Sequence, residues 1–153
     1  MCYTYKQTQE KGYTHMFEYV SLKNFKSFED IIIDFRDRQK EAKPLIVLLG
    51  PNGIGKSNIV SVFELLSNLF DTMDVRDFFE NLIAQKDFDP KDQQFMMKYF
   101  HENFKDMETI IHEYKMIGST ENMCIEFGFC INGKSGTYII ETNNEQIVHE
   151  RLE

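Results

Sequence analysis

The sequence predicts a mixed α/β fold with α+β character, in which a phosphate-binding loop joins a strand to a helix. Three observations support this fold class. A glycine-rich motif at Gly50–Ser57 follows an apolar run, and apolar residues recur at helical spacing after it. The last third of the chain alternates apolar and polar residues around short turn signals, which is typical of an antiparallel β meander. Two to three helices are expected in total.

The phosphate-binding loop is predicted from its sequence context. Leu45–Leu49 is a continuous apolar run, as expected for a strand that is buried on both faces. Gly50–Ser57 then fits the pattern G-x-x-x-x-G-K-[ST], and the apolar spacing from Ile59 to Phe70 predicts a helix. A glycine-rich turn that fits the pattern by chance is the alternative. The strand before the motif and the helix after it favour a phosphate-binding loop.

The residue types of this loop suit the binding of a nucleoside triphosphate. Glycines allow the backbone to adopt positive φ, so that successive N–H groups and the helix N-terminus form a site for an anion. Lys56 is expected to contact the β- and γ-phosphates, and the Ser57 hydroxyl is expected to bind Mg²⁺, which makes ATP and Mg²⁺ the predicted cofactors. The predicted nucleotide-binding residues of this stretch are Gly50, Pro51, Asn52, Gly53, Ile54, Gly55, Lys56, Ser57 and Asn58.

Length and composition limit the class of protein. With 153 residues, of which 42% are hydrophobic, the chain can form one globular domain with its own core. A net charge of −8 argues against a dominant nucleic-acid surface, although a local basic patch is compatible with it. No apolar run is long enough to span a membrane. Three cysteines without a C-x-x-C pair suggest free thiols in a reducing compartment, and we therefore expect a cytoplasmic protein.

Strands are predicted at both ends of the chain. Residues 1–15 lack periodicity and the apolar core of a signal peptide, so we expect a loose leader. Strands at 16–24 and 28–35 are joined by a short link, which predicts an antiparallel hairpin. The later strands are Asn122–Ile131, Gly136–Thr142 and Gln146–Leu152, with Asn132-Gly133 as a strong hairpin signal. We expect these three strands to form an added sheet beside the phosphate-loop core.

Two further helices are predicted between the phosphate loop and the meander. Asp74–Gln85 has an amphipathic pattern, with Asp74 as its N-cap. Lys91–Met116 is a longer helix that ends at Gly118. One face of the longer helix carries Met96, Phe100, Phe104, Met107, Ile111 and Tyr114. Core packing is the favoured interpretation of this stripe, and a partner-binding groove is the alternative.

Two motifs in a fixed order carry a resemblance to known families. They are L-K-N-F-K-S-F at residues 22–28 and G-P-N-G-I-G-K-S-N-I at residues 50–59. Together they resemble the start of the ATPase heads of SMC, RecF and related ABC-type proteins, including the OLD-like AAA family ATPases. The resemblance implies that residues 16–153 are the N-terminal half-domain of a P-loop NTPase of this type.

The resemblance also assigns a role to the first motif. In these families the corresponding turn lies near the nucleotide, which implies that Lys23, Asn24, Lys26 and Ser27 contact base, ribose or phosphate. A tight turn with solvated lysines is the alternative. The run I-V-H-E-R-L at residues 147–152 is weakly similar to a strand with a glutamate in the same families.

The sequence has no recognisable Walker B strand, in which an apolar run ends in the Asp that binds Mg²⁺ and, in these families, a Glu that polarises the attacking water. Ile31–Asp34 precedes the phosphate loop and is followed by Phe35, and Tyr138–Glu141 lacks the Asp. The catalytic residues therefore stay unassigned. The resemblance implies an incomplete head without Walker B, because members of these families are several hundred residues long.

The function implied by the resemblance is that of an ATP-binding N-terminal segment of an SMC/RecF/OLD-like ATPase, which acts in DNA repair, maintenance or defence when complete. The complete protein would be an ATP hydrolase that reaches DNA, whereas this chain alone is expected to be inactive. We also expect self-association, because the apolar strand Leu45–Leu49 needs neighbours. The alternatives are a non-catalytic nucleotide-binding or interaction module and a small stand-alone P-loop NTPase.

Overall fold

The computed structural model describes residues 16–83, 94–95, 98–99 and 105–153, with only the helical backbone for 73–80 and 82–83. Its strands are β1 (Met16–Phe25), β2 (Phe28–Asp34), β3 (Met123–Ile131), β4 (Lys134–Thr142) and β5 (Ile147–Leu152). Its helices are α1 (Lys56–Ile83) and α2 (Met107–Tyr114), and residues 94–95 and 98–99 are also helical. The fold is therefore mixed α/β with an antiparallel sheet, as the sequence predicts.

The five strands form one antiparallel sheet in the order β2-β1-β3-β4-β5. The alternation of apolar and polar residues sets the register, which places Val20 opposite Phe127 and Leu22 opposite Ile125 between β1 and β3. The turn between β3 and β4 is Asn132-Gly133, in which both residues have positive φ (55° and 76°). The predicted hairpin and meander are thus confirmed.

The meander is not an added sheet, in contrast to the prediction. β3 pairs with β1 from Met16 to Lys23, so the N-terminal hairpin and the C-terminal meander share one ladder. Unpaired backbone groups at a sheet edge cost free energy when they are buried away from water. When they are exposed, they tend to pair with another chain. Joining the two units removes one edge from each of them.

Helix α1 packs its apolar face on one side of this sheet. Phe63 lies at the centre of the contact, with its ring centroid 4.9 Å from that of Phe17 and 6.0 Å from that of Phe127. α2 packs near the end of β1, where the buried ring of Tyr114 stacks on Phe25. Burial of each large apolar side chain in this layer contributes about 1.5–3 kcal/mol. The buried core consists of Val20, Leu22, Phe25, Phe35, Val62, Leu65, Leu69, Ile110, Ile111, Tyr114, Met123, Ile125, Phe127 and Ile140.

Helix α1 is longer than predicted. It runs without a break from Lys56 to Ile83, so Asp74 lies inside the helix and is not the N-cap of a second one. The sequence has no Gly or Pro between residues 56 and 83, and extending a helix costs far less free energy than nucleating another. The predicted helix Asp74–Gln85 is therefore the continuation of α1 as far as Ile83. Residues 84–93 lie outside the described part of the chain.

The predicted helix Lys91–Met116 is not continuous. Lys105 and Asp106 are not helical, and the side chain of Asp106 accepts a hydrogen bond from the N–H of Thr109 (2.7 Å), which caps the start of α2. A local side-chain cap thus starts a new helix where the apolar stripe alone predicts an unbroken one. α2 also ends earlier than predicted, at Tyr114.

The apolar stripe of the predicted long helix belongs to the core where the structure describes it. Ile111 and Tyr114 are buried, and Met107 packs against the core cluster. Core packing is therefore the correct interpretation for these three residues. The remaining members of the stripe, Met96, Phe100 and Phe104, lie outside the described residues.

The predicted strand Leu45–Leu49 does not form. Among the described residues no strand pairs with it, and Leu45, Val47 and Leu49 are 76%, 66% and 87% exposed. A strand that is apolar on both faces needs neighbours that pair with its backbone and cover its side chains. The sheet described above supplies neither, so this apolar segment stays exposed.

Candidate nucleotide-binding site

The phosphate-binding loop lies directly before α1. Gly53 and Gly55 have positive φ (85° and 102°), which glycine adopts without a Cβ clash, and the helix begins at Lys56. The first helical hydrogen bond joins the N–H of Ile59 to the carbonyl oxygen of Gly55 (3.1 Å). The predicted transition from loop to helix is thus confirmed, although the strand predicted before it does not form.

The loop and the first turn of α1 offer a set of backbone donors. Among the described residues, the N–H groups from Gly53 to Asn58 have no protein acceptor, as is usual at a helix N-terminus. Together with the positive end of the helix dipole, these donors fit the oxygens of a phosphate group. The loop is open to solvent at Pro51, Asn52, Ile54 and Ser57.

The side chain of Lys56 folds back over the loop. Its Nζ donates hydrogen bonds to the carbonyl oxygens of Gly50 and Pro51, both at 2.7 Å. These two bonds keep the ammonium group beside the segment that carries the free amides. A phosphate bound by the amides would therefore meet a positive charge, which is the role that the sequence predicts for Lys56.

A metal ion at this site would depend on Ser57. Within its described residues, the structure has no group of three or more His, Cys, Asp or Glu side chains that could hold a metal. Ser57 lies exposed in the first turn of α1, where its hydroxyl can share Mg²⁺ with phosphate oxygens. The role of Ser57 as a Mg²⁺ ligand stays a prediction.

The turn between β1 and β2 lies against the phosphate loop. Nδ2 of Asn58 donates a hydrogen bond to Oγ of Ser27 (2.8 Å), which joins the turn to the first turn of α1. On the other side of the same contact, a Cβ placed on Gly55 would lie 2.6 Å from Cζ of Phe28 and 3.3 Å from Oγ of Ser27. The structure thus brings together the two motifs that the sequence separates by more than twenty residues.

The other predicted residues of this turn make contacts within the fold. Nζ of Lys23 lies 3.7 Å from a carboxylate oxygen of Asp30 on the exposed surface. Nδ2 of Asn24 donates to the carbonyl oxygen of Asn122 (2.9 Å). Nζ of Lys26 lies 4.6 Å from the ring centroid of Tyr114. In the described contacts, Ser27 is the member of this predicted set that reaches the loop region, and nucleotide contacts by the other three stay predictions.

Phe28 closes the first motif, but its sequence context predicts no role for it at the loop. Its ring packs against the core cluster and its far edge meets the backbone of Gly55. An aromatic residue at the end of a turn is an ordinary strand residue in sequence terms. Its proximity to a loop glycine depends on how β2 and α1 are placed by the sheet, so no local signal could have identified it.

The two acidic residues considered for Walker B, Asp34 and Glu141, both accept hydrogen bonds within the fold. Both carboxylate oxygens of Asp34 accept hydrogen bonds from the Arg36 side chain, at 2.9 Å from Nε and 2.8 Å from Nη2. These bonds lower the pKa of Asp34 to about 2. Glu141, in the second run considered for Walker B, accepts a hydrogen bond from Nδ2 of Asn122 (2.8 Å). Both carboxylates therefore have hydrogen-bond partners within the fold.

Comparison with known proteins places the chain in a family. The family model described as AAA ATPase domain matches residues 16–151, a span that contains both motifs. A comparison with curated proteins found no match. In the described part of the chain, no helix is long and apolar enough to cross a membrane. The chain therefore belongs to the AAA ATPase domain family, and its function is that of an ATP-binding ATPase domain.

Proposed function

We propose that the chain binds Mg²⁺-ATP at Gly50–Asn58 and is the N-terminal part of an SMC/RecF/OLD-like ATPase head. The observation that carries this proposal is the contact between the two motifs, made by the Asn58–Ser27 hydrogen bond and by Phe28 against Gly55. A P-loop alone occurs in many folds, whereas the pair of motifs in this order and spacing is more specific, and the structure brings the two into contact. The match to an AAA ATPase domain over residues 16–151 supports the coarser part of this proposal, an ATP-binding ATPase domain.

Each part of the loop has a separate task in this proposal. The free amides from Gly53 to Asn58 bind phosphate oxygens, and the Lys56 ammonium balances their charge. The Ser57 hydroxyl would hold Mg²⁺, whose charge would offset that of the bound phosphate oxygens. The turn residues Lys23, which is exposed, and Lys26, which is half-buried, are the candidates for contacts to ribose or base.

Hydrolysis needs groups that the described part of this chain does not place at the loop. The sequence has no recognisable Walker B strand, and in the described contacts the carboxylates of Asp34 and Glu141 bond to Arg36 and Asn122 and not to the phosphate loop. We therefore propose that the chain binds ATP without turnover on its own and that hydrolysis belongs to the complete head. A non-catalytic nucleotide-binding module is the second candidate, and the missing Walker B pattern favours it.

The cellular role follows from the resemblance. In a complete head of this type, ATP would join two heads and its hydrolysis would separate them during DNA repair, maintenance or defence. The net charge of −8 favours DNA contacts outside this chain. A stand-alone P-loop NTPase is the remaining alternative, and it requires a catalytic acid beside the loop.

Isothermal titration calorimetry with ATP and Mg²⁺ tests the binding site. Lys56→Ala should lower the affinity by about tenfold to a hundredfold, because it removes charge-assisted hydrogen bonds to phosphate. Lys134→Ala is the matched control, since Lys134 is an exposed lysine at the start of β4. Equal affinities of wild type and Lys56→Ala would refute binding at this loop.

A further inference from the structure

The β1–β2 turn is fixed by the fold independently of the phosphate loop. The N–H of Lys26 donates to the carbonyl oxygen of Tyr114, and the N–H of Met116 donates to the carbonyl oxygen of Asn24, both at 2.8 Å. Asn24 and Tyr114 are buried, so these bonds are shielded from water. The end of α2 therefore clamps the turn from the side of the core.

The opposite side of the turn meets α1 where its free amides lie. Asn58 follows Ser57 directly, and its own N–H belongs to the set of donors without a protein acceptor among the described residues. The Asn58 side chain is tied to Ser27 at 2.8 Å, while Phe28 limits how far Gly55 can move towards the sheet. Two contacts thus fix the start of α1 against a turn that is itself fixed by α2.

We propose that Ser27 is a positioning residue for the phosphate loop, which acts through Asn58 and does not itself contact the nucleotide. This inference rests on the proposed ATP site and adds to it a residue that sets the direction of the amides. Amide donors bind an anion well only when they converge on one point, and the tilt of the first helical turn decides whether they do. The Ser27–Asn58 bond fixes that tilt at the residue next to Ser57.

The expected effect is a loss of affinity with little loss of folding stability. Ser27 is exposed, so Ser27→Ala should leave the urea unfolding midpoint almost unchanged. It should weaken ATP binding by about threefold to tenfold, as expected for one side-chain hydrogen bond. Ser27→Thr keeps the hydroxyl and should restore the affinity. Ser67→Ala, at an exposed serine on α1, should have no effect.

A double-mutant cycle with calorimetry and Mg²⁺-ATP decides whether Ser27 acts through Asn58. If it does, Ser27→Ala combined with Asn58→Ala should bind ATP no more weakly than Asn58→Ala alone. Additive losses would overturn the proposal, because they would mean that Ser27 contributes independently of Asn58, and so would an unchanged affinity of Ser27→Ala.

The same measurements separate failure of this inference from failure of the proposed function. Wild-type binding that Lys56→Ala weakens, together with an unaffected Ser27→Ala, would overturn the positioning role alone. If neither the wild-type chain nor Lys56→Ala shows a heat of binding with Mg²⁺-ATP, both proposals would be overturned.

Discussion

Phe28 and Gly55 approach so closely that a Cβ on Gly55 would lie 2.6 Å from Cζ of the Phe28 ring. Gly55 also has φ of 102°, a conformation that is costly for any residue with a side chain. The last glycine of the loop is therefore required for two separate reasons. One is its backbone conformation, and the other is the space that β2 leaves for it.

Gly55→Ala should destroy ATP binding, because either the loop or the ring of Phe28 has to move. Gly118→Ala is the matched control for backbone strain, since Gly118 has φ of 81° and nothing lies within 4 Å of the position that its Cβ would take. Both variants should lose about 1–2 kcal/mol of stability from the left-handed backbone. Urea unfolding measures the stability of the two variants, and calorimetry measures their ATP affinity. A wild-type ATP affinity in Gly55→Ala would contradict the prediction.

The Asp34–Arg36 pair predicts a pH dependence of stability. The pKa of Asp34 is lowered to about 2 by the Arg36 hydrogen bonds, so the pair stabilises the fold above the ordinary pKa of Asp near 3.8. That stabilisation is lost as the pH falls from about 4 towards 2. Asp34→Asn should therefore lower the thermal midpoint at pH 7 and have a diminishing effect towards pH 2.

Glu29→Gln on the same hairpin is the control for this pH experiment, because Glu29 is exposed on β2. Thermal unfolding followed by circular dichroism between pH 2 and pH 7 gives the comparison. A difference between wild type and Asp34→Asn that stays constant over this range would show that the carboxylate charge contributes nothing.

The isolated chain should release no phosphate from ATP above background. The sequence has no recognisable Walker B strand, and catalysis requires an acid that positions water or metal beside the phosphate loop. A phosphate-release assay at saturating Mg²⁺-ATP measures this directly. Turnover that disappears in Lys56→Ala would instead support the stand-alone NTPase.

The exposed segment Leu45–Leu49 should cause self-association at micromolar concentration. Its apolar side chains and its backbone, which pairs with no strand among the described residues, form a template for pairing with a second chain. Leu45→Lys combined with Leu49→Lys should shift the chain to a monomer in light scattering. Ile117→Lys changes an apolar side chain that is 99% exposed elsewhere and should leave association unchanged. An 18.2 kDa monomer for the wild type would contradict this prediction.

The β-structure was predictable because its signals are local. Asn132-Gly133 selects its own turn, and period-two alternation fixes which face of each strand is buried. The helix boundaries were harder, since the sequence pattern placed Asp74 at a helix start and Asp106 inside a helix, and the structure has the reverse. Only Asp106 starts a helix, because α1 has already formed through Asp74. The residues around an Asp do not show whether the preceding helix continues through that position.

Features that depend on distant residues could not be predicted in the same way. Leu45–Leu49 has the pattern of a buried strand, but a strand forms only where another one pairs with it. The phosphate loop is recognisable because its motif is contiguous. The packing of Phe28 on Gly55 is not recognisable in the sequence, because it arises from the placement of β2 against α1. Sequence thus located the loop, Asn58 and Ser27, but not the packing of Phe28 against Gly55.

Amide chemical-shift mapping with Mg²⁺-ATP is the most direct test of nucleotide binding at this site. The largest shifts should occur from Gly53 to Asn58, where the free amides lie, with smaller ones at Ser27 and Phe28. These shifts should saturate with ATP and disappear in Lys56→Ala. An unperturbed loop at saturating Mg²⁺-ATP, or the same shifts in Lys56→Ala, would contradict the assignment of this loop as the ATP site.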